Sequence, residues 1–272
     1  MAPEFKISGL QTRARKLYIR HLRSRISDPL HRQRLRLAWH VFGYAPLVRT
    51  GSLPLAVRLR LVARFVRVDW SVEHAHYPSE MARICIDLAS RPGRPGEVVV
   101  EAGCWNGGST AKFSLICAQL GLGLHVYDSF QGVEPHHVLE GEWDFAGQYA
   151  SPEVDVRSVV ARLGAPDVCT FHPGWFADTL ATTPVGHPVR MAYVDCDVAK
   201  GTVEALQGIV PDLVEDALVY SQDSYIPAVR EALLDPATWS PFGIDTQPGL
   251  EHVAWCTGRL VPPSGRWHPV AT

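Results

Sequence analysis

Two short clusters in the second half of the chain carry side chains that could hold a hard cation. Asp195-Cys196-Asp197 and Gln222-Asp223 each follow an apolar run that reads as a strand. Side chains two apart on a strand share a face, so Asp195 and Asp197 can converge while Cys196 points away. Asp223 arrives from the end of the next strand. Carboxylate and carbonyl oxygens grouped in this way suit magnesium, although either cluster alone can also be a set of solvated strand-end acids. A third stretch, Glu101-Ala102-Gly103-Cys104-Trp105-Asn106-Gly107-Gly108-Ser109, combines an acid with glycines. Such a turn lets the backbone approach a ligand and offers free amides at a helix start. Its spacing is not G-x-G-x-x-G, which disfavours a dinucleotide pyrophosphate and with it a nicotinamide-dependent dehydrogenase. The acid ahead of Gly103 better suits a cationic ligand end, such as the ammonium of an amino acid. Asp128-Ser129-Phe130 begins 25 residues after Gly103, where a carboxylate can accept both hydroxyls of a ribose. Gly174-Trp175-Phe176 could set rings against an adenine, although adjacent aromatics are more often core. A glycine-rich turn after one strand and an acid after the next together point to an adenosine-containing ligand.

These side chains need strand ends to stand on, and the sequence supplies them. Glu97-Val98-Val99-Val100-Glu101 follows a Pro/Gly turn and reads as a buried strand. A helix is expected over 109–120, a strand over Leu124-His125-Val126-Tyr127-Asp128, and a polar loop over 131–150. Ser151-Pro152-Glu153 reads as a helix start, with serine as cap and proline at the first helical position. That helix runs to about residue 163. Further strands are expected at Val168-Cys169-Thr170-Phe171, at Val189-Arg190-Met191-Ala192-Tyr193-Val194 and at Ala217-Leu218-Val219-Tyr220. A helix over 202–213 links the last two. Strand candidates at 242–246 and 251–260 close the chain as an edge hairpin. Alternating buried strands and helices predict a doubly wound, mostly parallel seven-stranded α/β sheet.

The formal net charge of −2 conceals an asymmetry. Residues 1–70 carry 15 of the 26 Lys and Arg and only 3 of the 28 acids. Helical periodicity over 11–26, 29–42 and 53–68 makes residues 1–72 an arginine-rich helical extension, ahead of a second domain expected at 73–272. Trp39, Phe42, Leu61 and Phe65 give those helices apolar faces, so packing on the chain's own acidic domain or on a second subunit is favoured over a nucleic-acid surface. No run reaches the roughly 18 uncharged apolar residues of a membrane span, and the N-terminus does not read as a secretory signal. The six cysteines are scattered without CxxC spacing. They read as reduced, mostly buried thiols of a cytoplasmic protein.

Taken in order, the motifs resemble the macrocin O-methyltransferase family of class I S-adenosylmethionine-dependent methyltransferases. The resemblance rests on Glu101-Ala102-Gly103-Cys104-Trp105-Asn106-Gly107-Gly108, Asp128-Ser129-Phe130-Gln131-Gly132 and Gly174-Trp175-Phe176-Ala177-Asp178-Thr179-Leu180, completed by Asp195-Cys196-Asp197 and Gln222-Asp223-Ser224-Tyr225. It covers roughly residue 73 to the C-terminus and implies a Rossmann-like methyltransferase fold. It implies that Glu101 and the turn carrying Gly103, Trp105, Gly107 and Ser109 hold the methionine part of S-adenosyl-L-methionine. It further implies that Asp128 takes the ribose, that Ser129, Trp175 and Phe176 border the adenine, and that Phe130, Gly174 and Asp195 complete the surround. His76-Tyr77 stands where family members carry a cofactor-contacting lid segment. Magnesium would be held by Asp195, Gln222 and Asp223. Where the family shows two adjacent aspartates this chain has Gln222-Asp223, which removes one negative charge from the site.

The chemistry so implied is methyl transfer to a hydroxyl, expected on the sugar of a small glycosylated metabolite, in a homodimer or larger assembly. A cation lowers the hydroxyl's pKa and orients it, and Asp197 is the candidate base. His136 and His137 are alternatives in a candidate lid that also carries Glu134, Glu140, Glu142 and Asp144. Two rivals stay open: a metal-independent methyltransferase acting on nitrogen or carbon, and a non-catalytic cofactor-binding subunit. The Asp/Asn-Pro-Pro-Tyr element of nucleic-acid amino methyltransferases is absent, with Asp195-Cys196-Asp197-Val198 in its place.

Overall fold

The computed structural model describes residues 39–135, 138 and 144–267. The helix expected over 11–26, most of the one over 29–42, and His136, His137, Glu140 and Glu142 lie outside them. Residues 39–43 are helical, followed by α1 (Ala45–Thr50), α2 (Leu55–Ser71) and α3 (Pro78–Leu88). The chain then runs β1 (Val98–Ala102), α4 (Gly108–Leu120), β2 (Gly123–Asp128), α5 (Glu153–Leu163), β3 (Cys169–Pro173), β4 (Val189–Val194) and α6 (Ala199–Ile209). It closes with β5 (Leu213–Ser221), α7 (Pro227–Leu234), α8 (Pro236–Trp239), β6 (Gly249–Ala254) and β7 (Thr257–Val261).

The seven strands form one sheet in the order β3-β2-β1-β4-β5-β7-β6. The first five are parallel, and β7 and β6 pair antiparallel at the edge. Every residue of β1 and β4 is buried, as expected for central strands covered on both faces. Alternation along the strands divides the core. Val98, Val100, Ala192, Val194 and Val219 pack with α6 and α7 through Leu206, Ile209 and Leu233. Val99, Val126, Met191 and Tyr193 pack with Ile84, Phe113, Leu61 and Phe65 on the other face. The chain leaves β1 towards β2 and β3, then returns to lay β4 on β1's other side. That reversal opens a crevice beyond the carboxyl ends of β1 and β4, the usual ligand position in open α/β sheets.

Several local expectations are corrected. Residues 242–246 form no strand, because Ser240–Phe242 is a 3-10 turn. The stretch 251–260 is instead most of both strands of the hairpin. Its turn lacks Gly, Pro or Asn because distant contacts hold it. Trp255 has φ +49, stacks on Tyr77 at 4.5 Å and donates from Nε1 to Ser79 Oγ at 3.0 Å, while the Cys256 N–H donates to Glu80 Oε1 at 2.9 Å. Helix α6 starts three residues earlier than expected and stops at Ile209, where Pro211 in the following turn precludes continuation; Leu213 already belongs to β5. Ser151 does not cap α5, whose N-cap is Pro152.

In the arginine-rich extension Leu61 and Phe65 are buried as expected, but Trp39 is 41% and Phe42 73% exposed. Arg58 and Arg64 donate to backbone carbonyls, of Val48 and of Leu163 and Gly164, rather than to acids. All six cysteines are free, five of them buried and Cys169 half-buried. No helix among the described residues is long and apolar enough to cross a membrane.

Candidate functional site

Strand β1 delivers the glycine turn to the crevice. At Gly103, φ is +89 and a Cβ would fall 1.8 Å from the Asp195 carbonyl oxygen. Only glycine lets the two segments meet there, and the Asp195 N–H closes the junction on Ala102 O at 2.8 Å. From β2, Asp128 braces the turn. Its Oδ2 accepts from the N–H of Cys104 at 2.7 Å and of Trp105 at 3.3 Å, and its Oδ1 accepts from Phe130 N–H at 2.7 Å. Asp128 therefore already fixes the loop against which a ribose would lie.

The crevice encloses about 1030 Å³ of space, partly open to solvent. Of the residues singled out from sequence, Gly103, Trp105, Asp128, Ser129, Trp175, Phe176, Asp195, Asp197 and Gln222 line it. Trp175 and Phe176 form the wall expected to face a base. Ser129 donates its hydroxyl to Gly132 O at 2.8 Å, closing the turn beneath the loop. Tyr77, Glu101, Gly107, Ser109, Phe130, Gly174 and the buried Asp223 are not on the wall. Tyr77 stacks on Trp255 instead, and Ala75 takes a place on the wall. Gly107 has φ +75 and forms the N-cap of α4.

Glu101 lies behind the turn, fully buried on the face that carries Tyr193 and Phe113, and neither carboxyl oxygen makes a well-formed hydrogen bond. Burial pushes its pKa up to about 8, with a further push from Asp128. The nearby Ser109 and Thr110 hydroxyls pull the other way.

The second half of the site is an acidic trio. Ligand oxygens of Asp195, Asp197 and Asp223 all lie within 4.8 Å of one another. Convergence was expected from strand alternation, but β4 ends at Val194. Asp197 reaches the cluster through a left-handed φ of +63, with its N–H donating to Asp223 Oδ2 at 2.7 Å. Aspartate tolerates that region better than most residues. Burial, then mutual repulsion, drives Asp195 well above the carboxylate range. The same causes push Asp197 to about 8, and burial pushes Asp223 to about 6. Three crowded carboxyl groups could hold a hard divalent cation, whose charge would relieve the repulsion. Gln222 lines the crevice beside them.

Of the far wall, sequence reasoning named only Glu134, in the candidate lid, and missed Tyr149, Lys200 and Glu204. Tyr149 packs edge-on against Trp105 at 5.2 Å. Lys200, in the first turn of α6, pairs with Glu134 of the loop after β2 and with Glu204 at 3.3 Å. All four line the crevice. Their signal was faint, since Lys200 and Glu204 read as an ordinary i,i+4 helix pair.

Comparison with known proteins bears on the family and the fold. The family model described as Macrocin-O-methyltransferase (TylF) matches residues 80–236. An 8-demethyl-8-(2,3-dimethoxy-alpha-L-rhamnosyl)-tetracenomycin-C 4'-O-methyltransferase of Streptomyces olivaceus is 32% identical over 162 residues, 56% of this chain and 61% of its own length. Mycinamicin III 3''-O-methyltransferase of Micromonospora griseorubida is 31% identical over 164 residues, 55% of this chain and 63% of its own. The match thus spans less than two thirds of either relative. Among solved structures the O-methyltransferase NovP superposes with a TM-score of 0.55 at 19% identity, covering 84% of this chain and 98% of that one, which shows a shared fold. With the family model matching residues 80–236, more than half of the sequence, the chain belongs to the macrocin O-methyltransferase family.

Proposed function

We propose that this protein transfers a methyl group from S-adenosylmethionine to a hydroxyl on the sugar of a small glycosylated metabolite, with a divalent cation at the acidic trio. The single observation that carries the reading is one crevice, at the reversal between β1 and β4, lined both by the Asp128-braced glycine turn and by Asp195 and Asp197 of the acidic trio, with the buried Asp223 behind them. The first suits a nucleoside, the second an acceptor. When bound, the cofactor supplies an electrophilic methyl on its sulfonium.

In this reading Asp128 and the turn fix the ribose end, and Trp175 and Phe176 border the adenine. Asp195, Gln222 and Asp223 would hold the cation, whose charge lowers the pKa of the acceptor hydroxyl. Asp197 takes the hydroxyl proton, so it must be ionised when the acceptor arrives. In the protein alone burial pushes it to about 8, and positive charge among the acids brings it back down. Asp197 also lies close enough to the other two to be a ligand itself. The two roles differ in what its loss removes, either turnover or cation affinity.

The charge of the wall supports a neutral acceptor. Among the described residues, Asp128, Asp195, Asp197, Glu134 and Glu204 line the crevice against one cation, Lys200, already paired with two of the acids. An acceptor bearing phosphate would meet net repulsion, whereas a sugar hydroxyl would not. Self-association is part of the same reading, supported by the exposed apolar side chains Phe42, Leu55, Leu59 and Trp70 on the helical extension.

Calorimetric titration with S-adenosylhomocysteine, with and without magnesium, tests the proposal. Binding strengthened by the metal is expected. Absence of binding refutes methyl transfer, and binding with activity that survives EDTA refutes the cation.

A further inference from the structure

A second, largely buried polar cluster lies behind the glycine turn. Asp69 near the end of α2 and Lys112 on α4 are both 0% exposed and form an ion pair. Asp69 Oδ2 also accepts from His40 Nδ1 at 2.9 Å and from the Tyr44 hydroxyl at 2.8 Å. Lys112 Nζ donates to His76 Nε2 at 2.6 Å, so that nitrogen is the unprotonated one. His74 Nε2 stands 2.9 Å from Asp69 Oδ1, off the hydrogen-bond direction, and its Nδ1 donates to His76 O at 3.0 Å. The two imidazoles stack at 4.3 Å. His40, Asp69 and His74 could in principle ligate a metal, but Lys112 holds the same carboxylate, and a dication would sit against its ammonium.

Buried ion pairs add little net stability compared with apolar groups of the same shape, because desolvation offsets the attraction. Their attested use is to specify one arrangement among several. Here the thing specified is the segment 72–77 between α2 and α3. His74 and His76 turn into the cluster, and Ala75 between them lies on the crevice wall. Ala75 has no side chain long enough to anchor itself, so its neighbours set its place. The same segment holds Asn106 of the turn, whose amide donates to Glu73 O at 3.3 Å. It also lies over Gly108 at the start of α4, where a Cβ would be 3.1 Å from His74 Cβ.

We propose that Asp69 and Lys112 are positioning residues of the cofactor site. Through His74 and His76 the pair fixes the segment that carries Ala75, so cofactor affinity depends on side chains that touch neither the cofactor nor the reacting atoms. The helical extension is then a working part of the site rather than an appendage. This rests on the assignment of the cofactor to the crevice.

The test uses the full chain with S-adenosylhomocysteine as probe, comparing calorimetric affinity with melting temperature. Asp69→Asn combined with Lys112→Met leaves neutral groups of similar shape. It is expected to melt within about 4 °C of wild type yet bind at least about 10-fold more weakly. Should that variant not fold, a pair at His76 decides. His76→Gln keeps an acceptor for Lys112 and should retain affinity to within about 3-fold, whereas His76→Leu should lose about 10-fold or more without a matching fall in melting temperature. A double variant or a His76→Leu protein that binds like wild type overturns the inference and leaves the methyltransferase reading standing. Affinity that falls only in step with stability also overturns it, since that marks a merely structural role. Wild-type protein that binds no S-adenosylhomocysteine refutes the cofactor assignment first, and this inference with it.

Discussion

Replacing Glu101 with glutamine should make the protein more stable and its ligand site worse. The carboxyl is fully buried without a well-formed hydrogen bond, and burial raises its pKa from 4.5 to about 8. A folded pKa above the unfolded value means that the stability contribution is complete below about pH 4.5 and is lost as pH rises through 8. By pH 7 the chain has climbed roughly 2.5 units past the unfolded value, which at about 1.4 kcal/mol per unit is a penalty of about 3 kcal/mol. Glutamine keeps the shape and cannot ionise. Melting of Glu101→Gln should therefore match wild type near pH 4.5 and exceed it at pH 7 by about 6–12 °C for a chain of this size. A buried carboxyl without a well-formed hydrogen bond calls for a reason, and a bound ammonium close behind the turn would supply one. Affinity for S-adenosylhomocysteine is accordingly expected to fall about 10-fold in the same variant. Scanning calorimetry from pH 4.5 to 8 and a binding titration measure both. A stability difference that does not grow with pH refutes the burial argument. Stabilisation with unchanged affinity removes Glu101 from the cofactor site.

The geometry sets three further expectations. Asp197→Asn should lower kcat at least about 100-fold while leaving affinity for S-adenosylhomocysteine and magnesium within a few fold; lost magnesium binding would make Asp197 a ligand instead of the base. Gly103→Ala should fail to fold or lose at least about 3 kcal/mol, because its Cβ would fall 1.8 Å from Asp195 O; a near-native denaturation midpoint would contradict the close approach of β1 and β4. Glu80 is buried between α3 and the β6–β7 turn, and burial raises its pKa from 4.5 to about 7 against the pull of the Tyr77 and Cys256 N–H groups. Its contribution is present below pH 4.5 and lost through pH 7, so the melting temperature of wild type minus that of Glu80→Gln should decline across this interval by the equivalent of up to about 3 kcal/mol; a flat difference would show that the carboxyl does not titrate there.

The central strands were legible because each is a short, mostly apolar buried run closed by a polar or glycine punctuation at the crevice end. Val98–Ala102 and Val189–Val194 therefore fell within a residue or so of expectation. The motifs were legible for the same reason, since a parallel sheet sets its strand ends side by side and so groups the residues just beyond them. Where positions depend on contacts far along the chain, the pattern failed. The β6–β7 turn is made by Trp255 and Cys256, neither a turn former, and is held by Tyr77, Ser79 and Glu80 about 176 residues earlier. An apolar run that bends in the middle looks the same in sequence as one that does not.

The site divides along the same line. Asp128 and Gly103 act through backbone, so their residue types carry the message wherever the turn occurs. Glu101 was read as a cofactor ligand from its place in a motif; the alternation of β1 sets it on the opposite face from Val100 and Ala102, behind the turn rather than on the wall, and the Glu101→Gln titration decides whether a bound ammonium reaches it. Asp69 offered no signal at all. It is a single acid at the end of an arginine-rich helix, and its partners His40, Tyr44, His74 and Lys112 come from four other segments. Local pattern reports which residues a strand end offers. Whether an acid in a basic helix faces water or a buried lysine is decided only when the helix docks, and here docking turns the least conspicuous aspartate of the extension into the one that holds the segment behind the crevice in place.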